Sequence, residues 1–168
     1  MALRIEQLDA ARHNRAAFCC GEESLDSFLK RFAAQNMKAG FSTVHVYVDD
    51  EAEPPIPILG YYALAVGELH LDSLQEKDRK HLPKYPVPIA KMGRLAVATA
   101  QQGKGFGGLL VGDAVNRCLD LRDQIGVHAI VVDALDDGRA GFYEQYGFRR
   151  TTNEALTLYL PLGKASKS

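Results

Sequence analysis

Apolar positions along the chain separate helical from extended segments. From Leu25, the residues Leu25, Phe28, Leu29, Phe32 and Ala33 recur at helical spacing, with Glu22 and Glu23 at the positive end of the helix dipole. They predict an amphipathic helix over residues 25–39, ending near Gly40. In "STVHVYV" Val44, Val46 and Val48 alternate as in a half-buried strand, and "EAEPPIP" supplies acids and prolines for a turn. "ILGYYALAVG" is the next strand, so the pair predicts an antiparallel hairpin. Residues 71–88 are polar and end in "LPKYPVP", whose prolines exclude a regular helix; one helical turn is expected around residues 74–80. "IAKMGRLAVA" is strand-like, and after a glycine-rich stretch Phe106, Leu110, Ala114, Cys118 and Leu121 share a helix face. "HAIVVDAL" is apolar enough for a strand buried on both sides. "DDGRAGFYEQYGF" predicts a short helix, N-capped by Asp136 or Asp137 and stopped by a left-handed Gly147. "ALTLYLPL" is the last strand. This order makes an α/β sheet of mixed direction.

Composition fits one folded domain. The 168 residues are 46% hydrophobic and 24% charged, with no internal repeat, so residues 1–162 are expected to form a single domain and residues 163–168, "GKASKS", a flexible tail. The start carries Arg4 and lacks a long apolar core, and no run reaches the length of a membrane span. The cytoplasm is the expected location, without membrane contact. Cys19, Cys20 and Cys118 contain no C-x-x-C pair and predict three reduced, mostly buried thiols rather than a disulfide framework or a metal site. With a net charge of −1, nucleic-acid binding would need a local basic patch.

The stretch "QGKGFGG" puts four glycines into six residues between a strand and a helix. The first N–H groups of such a helix are unpaired and carry the positive end of its dipole, and glycines let a bulky anion approach them. Lys104 adds charge, so the stretch predicts a phosphate site. It is not Walker A, because Gly105 rather than Ser or Thr follows Lys104, and the glycine spacing departs from G-x-G-x-x-G. Gln102, Gly105 and Gly107 instead match Q-x-x-G-x-G, preceded by "RLAV" and followed later by "AGFYEQYGF". Together these resemble the GNAT superfamily of acetyl-CoA-dependent N-acetyltransferases over most of the chain. The resemblance implies a mixed, largely antiparallel central sheet flanked by helices. It implies acetyl-CoA as acetyl donor, with no metal. It places Gln102, Gly103, Lys104, Gly105, Phe106, Gly107 and Gly108 at the coenzyme pyrophosphate. The backbone of Leu95, Ala96 and Val97 would bond the pantetheine arm as a neighbouring strand does.

Acetyl transfer to an amine passes through a tetrahedral oxyanion, and a fixed backbone N–H aimed at it contributes roughly 3 kcal/mol. By resemblance the Leu95 N–H is that donor. Tyr143 in "GFYEQYGF" matches the family's tyrosine that protonates the departing thiolate, with Tyr146, one turn on, as its rival. Asp136 stands where relatives place a coenzyme-contacting asparagine, and the helix-cap reading is preferred. For the base, Glu68 and His70 are candidates beside the alternative of a solvated strand end; His45 and His128 read as core or face residues. Cys19 and Cys20 have no nearby His, and direct transfer needs no nucleophile.

"FCCGEESLDSFL", "PKYPVP" and "GRLAV" further resemble the toxin branch of bacterial GNAT proteins. That implies acetylation of the amino group of aminoacyl-tRNA, a block of translation and neutralisation by a ribbon-helix-helix antitoxin. Lys77, Arg79, Lys80, Lys84, Lys91 and Arg94 precede the catalytic strand as candidate phosphate contacts, interrupted by Glu76 and Asp78. Arg94, flanking that strand, is the residue expected to touch substrate. The alternative enzyme acetylates a small amine or a protein amine, with Asp49, Asp50 and Glu51 steering a cationic substrate. A catalytically inactive coenzyme A-binding module is the alternative outside catalysis. A homodimer is among the expected assemblies.

Overall fold

The computed structural model describes residues 2–163. Of the expected tail only Gly163 falls within them; residues 164–168 lie outside the described residues. The strands are β1 (Leu3–Gln7), β2 (His13–Asn14), β3 (Thr43–Asp49), β4 (Ile56–Pro57), β5 (Gly60–Leu69), β6 (Val87–Val97), β7 (Ala129–Asp133), β8 (Arg149–Arg150) and β9 (Thr157–Pro161). Helices are α1 (Glu23–Ser27), α2 (Ala33–Lys38), α3 (Glu76–Arg79), α4 (Phe106–Leu121) and α5 (Asp137–Glu144). One seven-stranded sheet has the order β1-β3-β5-β6-β7-β9-β8. The pairs β1–β3, β3–β5, β7–β9 and β8–β9 are antiparallel and β6–β7 is parallel. The fold is therefore the expected α/β one: a mixed, mostly antiparallel sheet with helices. It divides into two compact units, Met1–Ala65 with Arg94–Ala114, and Val66–Gly93 with Val115–Ser168.

In the first unit Val44, Val46 and Val48 pack with Phe18, Phe28, Leu29, Ala33, Tyr61, Ala63 and Ala96 in one core. Each fully buried side chain of this size contributes ~1.5–3 kcal/mol. The predicted long helix is present but interrupted: Phe28–Phe32 forms a π-helical turn between α1 and α2. The wider turn shifts the face by one residue. Phe28, Leu29 and Ala33 stay buried, whereas Phe32, expected on the same face, is 50% exposed. On the opposite side of β3, Tyr47 stacks on Phe106 at 4.8 Å between ring centroids. Gly60 is closely packed there: a Cβ would lie 3.0 Å from the Ala96 carbonyl and 3.1 Å from Leu110 Cδ1, so those neighbours would have to give way to a side chain. Strand β1 carries too short an alternation to stand out in the sequence, and backbone pairing from Leu3↔Asp49 to Gln7↔His45 makes it a strand.

In the second unit β7 pairs with β6 at Ile89↔Ala129 and with β9 at Ala129↔Pro161, which buries Ala129, Ile130, Val131 and Val132 as the apolar run predicts. The expected helical turn is α3. Its Asp78 turns inward to Arg149 and to the Tyr159 hydroxyl, which itself accepts from the Gln75 N–H at 2.8 Å. Burial opposes ionisation of Asp78, but the bonds from Tyr159 and Arg149 outweigh it and hold its carboxyl below the usual range. Asp136 caps α5 by accepting from the Arg139 N–H at 2.8 Å, and Gly147, at φ +92°, ends it. Leu121 leaves the predicted face of α4 at its last residue and is 38% exposed.

Candidate active site

The glycine loop belongs to the first unit, and a short 3₁₀ turn, Thr99–Gln101, leads into it from β6. Gly103 and Gly105 take φ +81° and +84°, a region L side chains rarely adopt, and a Cβ on either would meet nothing within 4 Å. The first helical bond of α4 runs from the Leu109 N–H to the Gly105 carbonyl at 3.3 Å, so the N–H groups of Phe106, Gly107 and Gly108 precede it. Glycine at that cap position has no side-chain oxygen to occupy them. Open space in front of bare backbone and unpaired amides fits a pyrophosphate. The Phe106 ring is buried on Tyr47, so of this residue only the backbone faces the loop. Lys104 is exposed, with its Nζ 3.3 Å from Gln101 Oε1.

Gln102 does something the sequence motif does not reveal. Its Nε2 donates to the carbonyls of Cys20 at 2.8 Å and Val97 at 2.9 Å. The Thr99 N–H and hydroxyl both donate to the Cys19 carbonyl, at 2.8 and 3.0 Å. The "FCC" segment therefore braces the loop through its backbone. The Cys20 thiol is poorly suited to nucleophilic chemistry: burial, then the Asp26 hydrogen bond, push it up to about 12. All three cysteines are free, but only Cys118 is buried; Cys19 is exposed and Cys20 half-buried, packed at the edge of the core that Phe18 enters.

Arg94, Leu95, Ala96 and Val97 are the last four residues of β6 and lie in this same unit. Ala96 is buried, Leu95 and Val97 are half-buried, and Arg94 is exposed with its guanidinium 3.9 Å from the centre of the Phe28 ring. Phe28 lies within the "FCCGEESLDSFL" stretch, but by itself it read as one more core position.

Tyr143 belongs to the second unit, on the last turn of α5. Its ring is 7% exposed and held by Phe142 and Phe148, at 5.2 and 5.6 Å between centroids. Burial pushes its hydroxyl up to about 12, with Arg139 opposing. Tyr146 lies beyond the helix end and is 42% exposed. Glu68 and His70 are exposed, as a solvated strand end would be. His45 is buried on β3 and stacks on Tyr62, while His128 is half-buried just before β7. In the basic stretch, Lys77, Lys80 and Lys84 are exposed, Arg79 donates to the Leu74 carbonyl at 3.1 Å, and Lys91 pairs with Asp133 at 2.7 Å. Among the described residues, no group of three or more His, Cys, Asp and Glu could hold a metal ion.

The family description "Acetyltransferase (GNAT) domain" matches residues 42–150, from β3 through the loop to β8. The chain belongs to the GNAT acetyltransferase family. A "tRNA-acetylating toxin" of Mycobacterium tuberculosis is 36% identical to this GNAT chain over 144 residues, 86% of this chain and 83% of that protein. Among solved structures, AtaT complexed with acetyl-methionyl-tRNAfMet has a TM-score of 0.87 at 28% identity, covering 95% of this chain and 94% of that one. A Tyr-to-Phe mutant of the AtaT toxin bound to acetyl-CoA and the C-terminus of the antitoxin AtaR has a TM-score of 0.81 at 26% identity, covering 96% and 94%.

Proposed function

We propose that this chain is an acetyl-CoA-dependent N-acetyltransferase that acetylates the amino group of aminoacyl-tRNA in the cytoplasm, arrests translation, and is restrained by a ribbon-helix-helix antitoxin. The observation that carries the reading is the 36% identity with a tRNA-acetylating toxin over most of both chains. The glycine loop supports it, because it has the backbone geometry that a coenzyme pyrophosphate requires.

Bound acetyl-CoA supplies a thioester carbonyl open to an amine and a thiolate as leaving group. The amides of residues 103–108 hold the pyrophosphate. Leu95 donates its N–H to the carbonyl oxygen as charge develops there. A C–N bond forms, the C–S bond breaks, the amine's proton leaves to solvent or a base, and the Tyr143 hydroxyl gives its proton to sulfur. A hydroxyl pushed up to about 12 remains protonated at neutral pH, the state this role requires. Residues 1–162 act as one catalytic domain in this reading. Of the acids that could steer a cationic small-molecule acceptor, Asp50 pairs with Arg4 at 3.1 Å and Asp49 Oδ1 accepts from the Ala2 and Glu51 N–H groups.

The test is labelled acetyl-CoA added to the purified protein with charged tRNA, bulk protein and small amines. Label is expected in the aminoacyl group, and expression without antitoxin is expected to stop bacterial growth, with Tyr143→Phe relieving the arrest. Label in protein or small amines, with healthy growth, overturns the reading.

A further inference from the structure

Three features of the first unit converge on one side chain. The guanidinium of Arg94 lies 3.9 Å from the Phe28 ring centre. Phe28 is 3% exposed and opens the π-helical turn, an irregularity that often marks functional positions. Beneath it, Tyr61 stacks at 6.3 Å and 17° and donates its hydroxyl to the Leu25 carbonyl at 2.6 Å, while Phe18 meets Tyr61 edge-on at 5.5 Å. The ring under Arg94 is thus the top of a fixed aromatic column.

A guanidinium stacked on a ring is covered on one face and keeps its N–H edge free, and that edge matches the paired oxygens of a phosphate. Among the described residues no carboxylate forms a salt bridge with Arg94. A charge that is exposed, unpaired and held in orientation is set up for an external anion. We propose that Phe28 is a positioning residue that presents Arg94 to a phosphodiester at the acceptor end of the nucleic-acid substrate. Phe28 sets orientation and Arg94 makes the contact. The inference rests on the tRNA reading given above.

The test measures binding of charged tRNA to the full chain against salt for wild type, Phe28→Leu, Arg94→Ala and the double variant. Thermal melts and acetyl-CoA calorimetry serve as folding controls. Arg94→Ala is expected to weaken binding and to lower the slope of log Kd against log salt by about one contact, roughly 0.7–0.9. Phe28→Leu keeps the charge, so the slope stays while Kd rises about two- to fivefold, the worth of an exposed cation–π contact. In the Arg94→Ala background Phe28→Leu is expected to add nothing. An equal loss in both backgrounds overturns the inference, because the ring then acts independently of Arg94. Unchanged binding in Arg94→Ala while charged tRNA is still acetylated overturns it and leaves the tRNA reading standing. If the wild type does not bind charged tRNA, both fall.

Discussion

Gly105→Ala separates a backbone cost from a ligand cost. At φ +84° an alanine sits in the left-handed region, which costs ~1–2 kcal/mol, and its Cβ meets nothing within 4 Å, so no clash adds to that. For a chain of this size each kcal/mol lowers Tm by roughly 2–4 °C. Gly40 provides the control: φ is +77°, its Cβ would also meet open space, and it lies just past α2, remote in sequence from the loop. Both alanine variants are therefore expected to melt a few degrees low. Only Gly105→Ala puts a methyl group where the pyrophosphate is proposed to approach. A hydrogen bond to a charged group is worth ~1.5–3 kcal/mol, so losing one raises the acetyl-CoA Kd roughly 10- to 150-fold. Differential scanning calorimetry reads the first cost and titration calorimetry the second. Matching Tm losses with acetyl-CoA affinities within about twofold of the parent in both variants would refute the phosphate-cradle argument.

Tyr143→Phe keeps the packed ring and removes the proton, so acetyl-CoA affinity is expected to persist while kcat falls by roughly two to four orders of magnitude. Because burial pushes that hydroxyl from its ordinary value of 10.0 up to about 12, its active, protonated form is expected to persist past pH 10; a descending limb near pH 10 that vanishes in Tyr143→Phe would contradict the raised value while leaving Tyr143 as the acid. Gln102→Ala removes both bonds to the Cys20 and Val97 carbonyls, and is expected to raise the acetyl-CoA KM about tenfold with kcat little changed; an unaltered KM would make the brace idle. The Asp78 carboxyl is held below its usual range, so its contribution to stability is present above the unfolded pKa and is lost as pH falls through the folded one. Denaturant melts at pH 7 and pH 3 are therefore expected to show a smaller acid loss in Asp78→Asn than in wild type, and equal losses would count against the ion pair.

What was legible in the sequence had a period or a motif. The valines of β3, the buried run of β7 and the cap of α5 each depend on neighbours a few residues away, so local pattern reveals them. The glycine loop was legible because positive φ and open space are demands that glycine alone meets cheaply. The π-helical turn was hidden because Phe32 continues the helical spacing, and only the packing of Phe28, Leu29 and Ala33 shows that the phase slips. Strand β1 was hidden because its partner lies more than 35 residues away, at Asp49 to His45. Asp78 looked like an acid interrupting a basic surface; its bonds to Arg149 and Tyr159, 71 and 81 residues on, direct its charge inward.

The stretch from Cys19 to Phe28 shows why a motif with no reactive role can matter to a reaction. Its backbone carbonyls at Cys19 and Cys20 take the hydrogen bonds that hold Thr99 and Gln102, and its Phe28 ring lies under Arg94. One short segment thus supports both the residues proposed to hold the acetyl donor and the one proposed to meet the acceptor, all within the same compact unit. The supports differ in kind. The first depends on backbone oxygens, which any side chain supplies provided the turn before α1 keeps its course, and Gly21 at φ +95° is where that course is most constrained. The second depends on an aromatic face, which only a ring supplies. Substitutions at Cys19 or Cys20 are therefore expected to be tolerated so long as the backbone path survives, whereas the role proposed for Phe28 is chemically specific although its ring is buried.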